Sequence, residues 1–341
     1  MASAPSCWIS LHPIVARSST PLLAWADICI VGLKLNDVER FGLDWERART
    51  INPGLVQLIL TPFGPEGPDA DVGGYDVLVQ GRSGVGFSMN RSSGGVPEPT
   101  RPAINDTSTG IMATVGILAA LRHRDLTGEG QRVDVSLLGT AMALGTPMLT
   151  KVAERDTAAL AEIDEDLSLL RAAGADFDAQ RELYEQRAVP AGGAFRLYFR
   201  HYRTADGFVT IGGLSPGLMG RFHEITGVAD ARGVSPRSSE FEQIVTEAEA
   251  IMASKTTAEW LAIFRAAKYP AGPYNLPHEA LEDPQVRANN YAVDIEHPSF
   301  GTYTTTANPV RLSRSPLVEM TPSPRLGEHT AEVLAELGLA D

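Results

Sequence analysis

The sequence predicts an α/β fold built on parallel strands. Residues 28–31 form a short apolar strand, and residues 55–60, apolar apart from Gln57, form a run of the kind found in a strand buried on both faces. The residues between them, from Val38 to Ile51, have the spacing of a helix. Strand, helix and strand in this order form a parallel unit, which is the building block of the α/β class.

A loop and a short helix follow these strands. Residues 61–68 are rich in Gly and Pro and come directly after the second apolar run. Open α/β sheets bind ligands at the carboxyl ends of their strands, so this loop is a candidate wall of a binding site. Residues 75–83 are spaced as a helix, and a polar loop over residues 90–101 leads to the next element.

The next elements are a long helix, a strand and an apolar helix. The long helix starts near Asp106 and ends in the cations of residues 122–124, which suit the negative end of a helix dipole. A Gly-containing turn at residues 127–130 precedes residues 131–136, which alternate like a strand. Residues 137–148 continue as an apolar helix.

A change of composition indicates a second domain. Residues 153–187 are rich in Ala, Leu, Asp and Glu at helical spacing and form a predicted bridge. We predict a large domain over residues 1–190, a smaller α+β domain over residues 191–300, and a C-terminal segment, residues 301–341, that returns to the large domain. Elements predicted after the bridge are a hairpin over 202–211, helices over 217–226, 238–253 and 257–267, a strand-like stretch over 301–308 and a helix over 328–337.

Composition excludes several classes of protein. The formal net charge is −13 and Lys and Arg form no block, which argues against a nucleic-acid surface or an anionic membrane surface as partner. Cys7 and Cys29 are too few for a disulfide framework, and the histidines form no spaced pair for a metal. No signal peptide is recognisable and no uncharged apolar run reaches the ~18 residues of a membrane span. We expect a cytoplasmic protein.

Asp106 is the most informative residue, because a carboxylate at the start of a helix has two uses. It can cap the helix, since its oxygen accepts from unpaired backbone N–H groups, or it can attack an electrophile. Small residues follow it along the predicted helix and keep one side of that helix thin. Some of them are Gly, although Ala would be the better helix former. Something must then approach this helix closely; the small residues are Gly110, Ala113, Gly116, Ala119 and Ala120.

Several separated segments resemble one family, the class III CoA-transferases, also called the CaiB/BaiF family, which includes formyl-CoA transferase and α-methylacyl-CoA racemase. They occur in the family's order over most of the chain, which chance matches would not produce. The segments are Gly74-Tyr-Asp-Val-Leu-Val-Gln80, residues 118–131 with Val133-Asp-Val-Ser-Leu137, Tyr202-Arg-Thr-Ala-Asp-Gly207, Asp283-Pro-Gln-Val-Arg287 and Pro324-Arg-Leu-Gly-Glu-His-Thr330.

The resemblance implies a Rossmann-like large domain that binds CoA, a smaller domain, and two chains threaded through each other as an interlocked homodimer. It also implies that Asp106 is the catalytic carboxylate. An acyl-CoA and a carboxylic acid would be the substrates, with CoA passing through a mixed anhydride and an aspartyl-CoA thioester. No tightly bound cofactor and no metal are implied.

The resemblance also suggests further site residues. Tyr75 stands where racemases of the family carry His; a phenol with a pKa of ~10 exchanges protons poorly at neutral pH, which favours transfer over racemisation. Lys34 replaces a family Arg that meets CoA. Asp76 and Gln80 face the same pocket or cap and solvate their helix. The family's glycine-rich cover matches best at Pro190-Ala-Gly192-Gly193, with Gly212-Gly213 as a second possibility.

The chain departs from the family at its beginning. Relatives have a strand, a helix and a second strand before the segment that matches Ala26-Asp27, whereas about twenty-five unlike residues stand here. The predicted Rossmann-like domain is therefore incomplete at the N-terminus. A heteromer with a related subunit, a shortened product and loss of activity are three explanations. The functional alternatives are an acyl-CoA racemase or isomerase, and a non-catalytic CoA-binding subunit of a heteromeric transferase.

Overall fold

The structure is a computed structural model, which describes residues 14–188, 193–316 and 320–338. The chain divides into two compact units. The first contains residues up to 188 together with residues from 324 onward, and the second contains residues 189–323.

The first unit is a parallel sheet with helices around it. Its elements are α1 (Ile14–Trp25), β1 (Ile28–Val31), α2 (Leu35–Arg40), α3 (Trp45–Ile51), β2 (Val56–Thr61), α4 (Asp76–Ser83), α5 (Val85–Met89), β3 (Ser92–Ser93), β4 (Val96–Pro97), α6 (Ile104–Thr127), β5 (Arg132–Ser136), α7 (Leu137–Leu144), α8 (Thr146–Leu149), α9 (Ala153–Ala172) and α10 (Phe177–Ala188). Near the end of the chain lies the last helix of the unit, Thr330–Glu336.

The sheet has the strand order β1-β2-β5, and both pairs are parallel. The central strand β2 is almost fully buried, as its continuous apolar run predicts. Ile28 pairs with Val56, and Leu58 pairs with Val133. The predicted α/β class with a parallel sheet is therefore confirmed.

The helix predicted between the first two strands is two helices. Gly42 has a φ of +63°, a conformation that glycine adopts without a Cβ penalty, and it ends α2. Asp44 then begins α3 by accepting a hydrogen bond at 2.9 Å from the backbone N–H of Arg47. The bridge predicted over residues 153–187 divides for the same reason, because Gly174 has a φ of +77° between α9 and α10.

The long helix α6 packs tightly against the sheet. Ala113 and Ala120 are buried, and a Cβ on Gly116 would lie 2.7 Å from Cγ1 of Val133 on β5. By length and composition α6 would also pass as a membrane span. It instead packs on β2, β5, α4 and α7, as a helix of the α/β layer does.

The second unit is an α+β structure with an aromatic core that includes Trp260, Phe264 and Phe222. Its elements are α11 (Gly193–Tyr198), β6 (Phe199–Arg203), β7 (Phe208–Gly212), α12 (Pro216–Thr226), α13 (Ser239–Met252), α14 (Thr257–Ala266), β8 (Ala271–Pro273), α15 (Pro277–Glu282), α16 (Pro284–Ala288), β9 (Ala292–His297) and β10 (Gly301–Thr306). β6, β7 and β8 form an antiparallel sheet in that order.

The strand-like stretch predicted after residue 300 belongs to this second unit. β10 pairs with β9 in an antiparallel hairpin, with Gly301 opposite His297. A boundary at residue 300 would cut this hairpin, so the structure differs from the predicted division into 191–300 and 301–341. The chain rejoins the first unit at residue 324.

Candidate active site

Asp106 lies in the first turn of α6, two residues after the helix begins at Ile104. The N-cap position belongs to Ala103, so Asp106 is not the capping residue that its residue type suggested. Its side chain is exposed. Partial desolvation, and secondly the negative charge of Asp76, raise the pKa of Asp106 above the usual range of an Asp. A carboxylate with a raised pKa is more basic and is therefore a better nucleophile.

Asp76 joins the starts of two helices. It begins α4, and its Oδ1 accepts a hydrogen bond at 2.8 Å from the backbone N–H of Asn105 in the first turn of α6. That N–H belongs to the group that a helix leaves unpaired at its N-terminus. The carboxylate of Asp76, on α4, thus provides a hydrogen-bond acceptor for a backbone N–H of α6. That N–H belongs to Asn105, which directly precedes Asp106.

Gln80 extends this connection to the segment before α6. Its Nε2 donates to Oδ2 of Asp76, one turn earlier on α4. Its Oε1 accepts from the backbone N–H of Thr100 at 2.9 Å. Asp76 and Gln80 are both buried and hydrogen-bond to the protein itself. The alternative prediction is that they cap and solvate their own helix, but Asp76 accepts a hydrogen bond from α6. Their assignment as CoA contacts stays a prediction.

Tyr75 and Asp106 lie on either side of this junction. Tyr75 precedes Asp76 and is the N-cap residue of α4, while Asp106 follows Asn105 on α6. The hydrogen bond between Asp76 and Asn105 therefore joins the chain neighbours of the two predicted catalytic residues. The Tyr75 side chain is 78% exposed, which leaves its phenol accessible to a substrate.

Lys34 lies beyond the carboxyl end of β1, as the N-cap residue of α2, and is exposed. Its side chain runs along the segment that leads to Tyr75, because a Cβ on Gly73 would lie 3.2 Å from Cε of Lys34. The neighbouring Gly74 packs on the loop after β2, where a Cβ would lie 2.7 Å from Cβ of Pro62. The carboxyl ends of the strands and the approach to Tyr75 therefore meet at one edge of the sheet.

The structure describes only part of the predicted glycine-rich cover, residues 190–193. Gly192 lies outside the described residues. Gly193 begins α11 in the second unit, where a Cβ would lie 2.5 Å from Cγ of Pro236, so packing within that unit already requires a glycine there. At the second possibility, a Cβ on Gly213 would clash with the hydroxyl of Tyr269. A role for Gly193 next to Asp106 stays a prediction.

Sequence reasoning missed Asn105 and Thr100, which contribute backbone N–H groups rather than side chains. The only available signal was the spacing of Asp76 and Gln80, which places two polar residues on one face of a helix. Within the described ranges, no group of three or more His, Cys, Asp or Glu side chains is placed to hold a metal ion.

Fold and site together define an α/β protein with an exposed carboxylate at a helix start, near the carboxyl edge of a parallel sheet. The sequence model of CoA-transferase family III matches residues 17–330. The chain belongs to CoA-transferase family III, and it is by this membership an enzyme of the CoA-transferase class.

Several relatives are named as CoA-transferases with different substrates. The chain is 32% identical to the succinate–glutarate CoA-transferase of Agrobacterium fabrum, over 95% of this chain and 78% of that protein. It is 32% identical to the formyl-CoA:oxalate CoA-transferase of Streptomyces avermitilis, over 94% and 77%. It is 28% identical to the succinyl-CoA–L-malate CoA-transferase beta subunit of Chloroflexus aurantiacus, over 97% and 77%.

Solved structures show the same fold at lower sequence identity. Rv3272 from Mycobacterium tuberculosis, in an orthorhombic form, superposes with a TM-score of 0.71 at 22% identity, over 94% of this chain and 80% of that one. A CaiB/BaiF family protein from Brucella suis superposes with a TM-score of 0.68 at 24% identity, over 96% and 79%.

Proposed function

We propose that this enzyme transfers CoA from an acyl-CoA to a carboxylic acid with Asp106 as the covalent nucleophile. One observation carries the proposal: Asp106 is exposed in the first turn of α6, at the junction where Asp76 holds Asn105, and its pKa is raised. An exposed carboxylate of increased basicity is suited to attack the carbonyl carbon of a thioester.

The reaction divides into two matched halves. A carboxylate oxygen of Asp106 attacks the thioester carbonyl, the C–S bond breaks, and a mixed anhydride forms as CoA leaves as its thiolate. The thiolate attacks the aspartyl carbonyl, which releases the acyl group as a carboxylate and leaves CoA on Asp106 as a thioester. The acceptor carboxylate displaces the thiolate to give a second anhydride. The thiolate then attacks the acyl carbonyl of this anhydride, and the carboxylate of Asp106 is regenerated.

The position of Asp106 at a helix N-terminus suits this chemistry. Each step builds negative charge on an oxygen attached to the carbon under attack. Backbone N–H groups and the positive end of a helix dipole stabilise such charge, and fixed donors of this kind supply much of the rate in acyl transfer. The open backbone at Gly110, where a Cβ would meet no atom within 4 Å, is where we place the arm of CoA. We assign Lys34 to a CoA phosphate because it is an exposed cation at the same edge.

We further propose that a second chain covers α6, as in the interlocked homodimer expected from the sequence. Three large apolar side chains on one stripe of the helix, Ile111, Val115 and Leu118, are 62, 54 and 59% exposed in the single chain. Exposed apolar patches of this kind mark protein interfaces. A related subunit is the alternative partner, since one relative is named a beta subunit.

The decisive experiment combines substitution with trapping. The enzyme would be supplied with formyl-CoA and succinyl-CoA as donors and with oxalate, glutarate and L-malate as acceptors. We expect Asp106→Ala to abolish turnover with every pair. In the native enzyme hydroxylamine should intercept the anhydride or thioester, and mass spectrometry should find the hydroxamate on Asp106. Asp125→Asn, an exposed carboxylate at the other end of α6, is the control. Full turnover by Asp106→Ala would refute the proposal.

The alternative activities predict different results. A racemase or isomerase would incorporate deuterium at the α-carbon of an acyl-CoA in heavy water without any acceptor acid. A non-catalytic subunit would turn over no pair alone but would activate a co-purified relative. The cytoplasmic location expected from the sequence stays a prediction.

A further inference from the structure

Asp76 is buried, charged and hydrogen-bonded on two sides. It is 7% exposed, and its two carboxylate oxygens have different partners: Oδ1 accepts from the backbone N–H of Asn105 at 2.8 Å, and Oδ2 accepts from Nε2 of Gln80. Burying a charged group is costly unless hydrogen bonds compensate it. Both oxygens of the Asp76 carboxylate therefore have a hydrogen-bond donor. One of these donors lies in the turn of α6 that carries Asp106.

Gln80 determines that the side chain at position 76 must be a hydrogen-bond acceptor. Its Oε1 accepts from the backbone N–H of Thr100 at 2.9 Å, which fixes the orientation of the side-chain amide. Its Nε2 must then face Asp76, so only an acceptor can stand there. These contacts hold two backbone N–H groups, that of Thr100 before α6 and that of Asn105 in its first turn, against one face of α4.

We propose that Asp76 is the positioning residue for the nucleophile: its buried carboxylate, oriented by Gln80, holds the first turn of α6 so that Asp106 faces the substrate. This proposal rests on the proposed function, since it assumes that Asp106 performs the covalent step. In this role Asp76 acts through the backbone of α6 and not on a reacting atom. Its hydrogen bond to Asn105 also brings its negative charge near Asp106, where that charge acts on the titration of the nucleophile.

Asp76→Asn is the first test. The new amide can still accept from Asn105, but its NH2 group then faces the NH2 group of Gln80, and Gln80 cannot turn without losing Thr100. We expect kcat, referred to folded protein, to fall ~100-fold with KM for acyl-CoA little changed, because a displacement of about 1 Å at a reacting group costs that much. The acid limb of the pH profile should move to lower pH, because a negative charge beside Asp106 is removed.

The matched rescue is the double variant Asp76→Asn with Gln80→Glu, which exchanges donor and acceptor. The amide at position 76 then donates to a carboxylate at position 80, which still accepts from Thr100. The long 3.5 Å contact from Nε2 of Gln80 to the Thr100 carbonyl is lost, and a carboxylate oxygen then faces that carbonyl at this longer distance. We expect kcat to recover at least ~10-fold over the single variant, since positioning is restored. The acid limb should return toward its native position, because the negative charge is restored one turn away.

The outcomes separate the two proposals. If Asp106→Ala is inactive while Asp76→Asn keeps its kcat and its acid limb, Asp76 does not position the nucleophile and the covalent mechanism stands. If Asp106→Ala is active, the covalent mechanism fails first. Should Asp76→Asn not fold, the folded double variant decides: near-native kcat supports positioning, and a ~100-fold deficit overturns it. Asp125→Asn is the control for Asp106→Ala, because it removes another exposed carboxylate from α6.

Discussion

Gly116 of α6 packs directly on Val133 of β5, where a Cβ would lie 2.7 Å from Cγ1 of the valine. Ala113 and Ala120 are buried on the same face of the helix. Small residues here let the helix backbone approach the sheet closely. Gly110 is different, because a Cβ at that position would meet nothing within 4 Å.

Gly116→Ala and Gly110→Ala should therefore change stability in opposite directions. We expect Gly116→Ala to lower the free energy of unfolding by about 1–3 kcal/mol through overpacking against Val133. Gly110→Ala should raise it by about 0.5–1 kcal/mol, because Ala is the better helix former. Urea denaturation followed by circular dichroism measures both. A Gly116→Ala variant as stable as the native protein, or more stable, would contradict the packing described for Gly116.

Gly110→Ala should also weaken the use of acyl-CoA while the protein becomes more stable. If the arm of CoA passes over the open backbone at Gly110, an added methyl group displaces it and KM for acyl-CoA rises ~10-fold, which corresponds to 1.4 kcal/mol. Gly217→Ala is the control, because Gly217 is also helical with open space around it. An unchanged KM in Gly110→Ala would place the arm elsewhere.

Charged residues in the apolar stripe of α6 should separate the subunits. We expect Val115→Glu and Leu118→Glu each to shift the protein from dimer to monomer in sedimentation velocity, since a buried unpaired carboxylate is costly. Leu169→Glu on α9 replaces another leucine that is exposed in the single chain, and we expect it to leave the assembly intact. A native protein that sediments as a monomer would refute the proposed partner at α6.

The pH dependence of turnover should report Asp106. The nucleophile must be ionised, and its pKa is raised by desolvation and by the charge of Asp76. As the pH falls, kcat/KM should therefore decline at a higher pH than the ordinary Asp pKa of ~3.9 would give. Rates measured in buffers of constant ionic strength over the acidic range test this. A limb at or below the ordinary value would mean that Asp106 is not the titrating group.

His223 should make the stability of the second unit fall with acidification. Its Nδ1 faces the carbonyl of Val228 at 3.1 Å, which can only accept, so Nε2 accepts from the hydroxyl of Tyr198 at 2.7 Å. Burial lowers the pKa of His223, although the nearby Asp230 opposes this. The unfolded chain then takes up the proton first, so stability is present above the ordinary His pKa of ~6.5 and is lost as the pH falls below it.

Unfolding of the native protein and of His223→Gln at pH 7, 6 and 5 would measure this effect. Gln keeps a side chain that can donate and accept but does not titrate, so its stability should depend less on pH over this range. Equal pH dependence in both proteins would exclude His223 as the cause.

Local patterns predicted the elements of this chain better than its contacts. The apolar run of residues 55–60 predicted β2 correctly, because a strand buried on both faces is apolar on both faces. The break at Gly42 was missed, since a single glycine within a helical pattern is ambiguous. The spacing of Asp76 and Gln80 marked a polar helix face, but their partners are backbone groups of distant residues, and no residue type encodes those.

The strand β1 has one further consequence, for the behaviour of the chain in concentrated solution. Among the described strands it pairs only with β2, so no described strand pairs with its other edge, and Ile30 on it is 65% exposed. An open strand edge is a template on which other chains can add strands and aggregate. β1 is only four residues long, however, so a foreign strand finds few groups to bind. The brevity of β1 is thus itself a protection against misassembly.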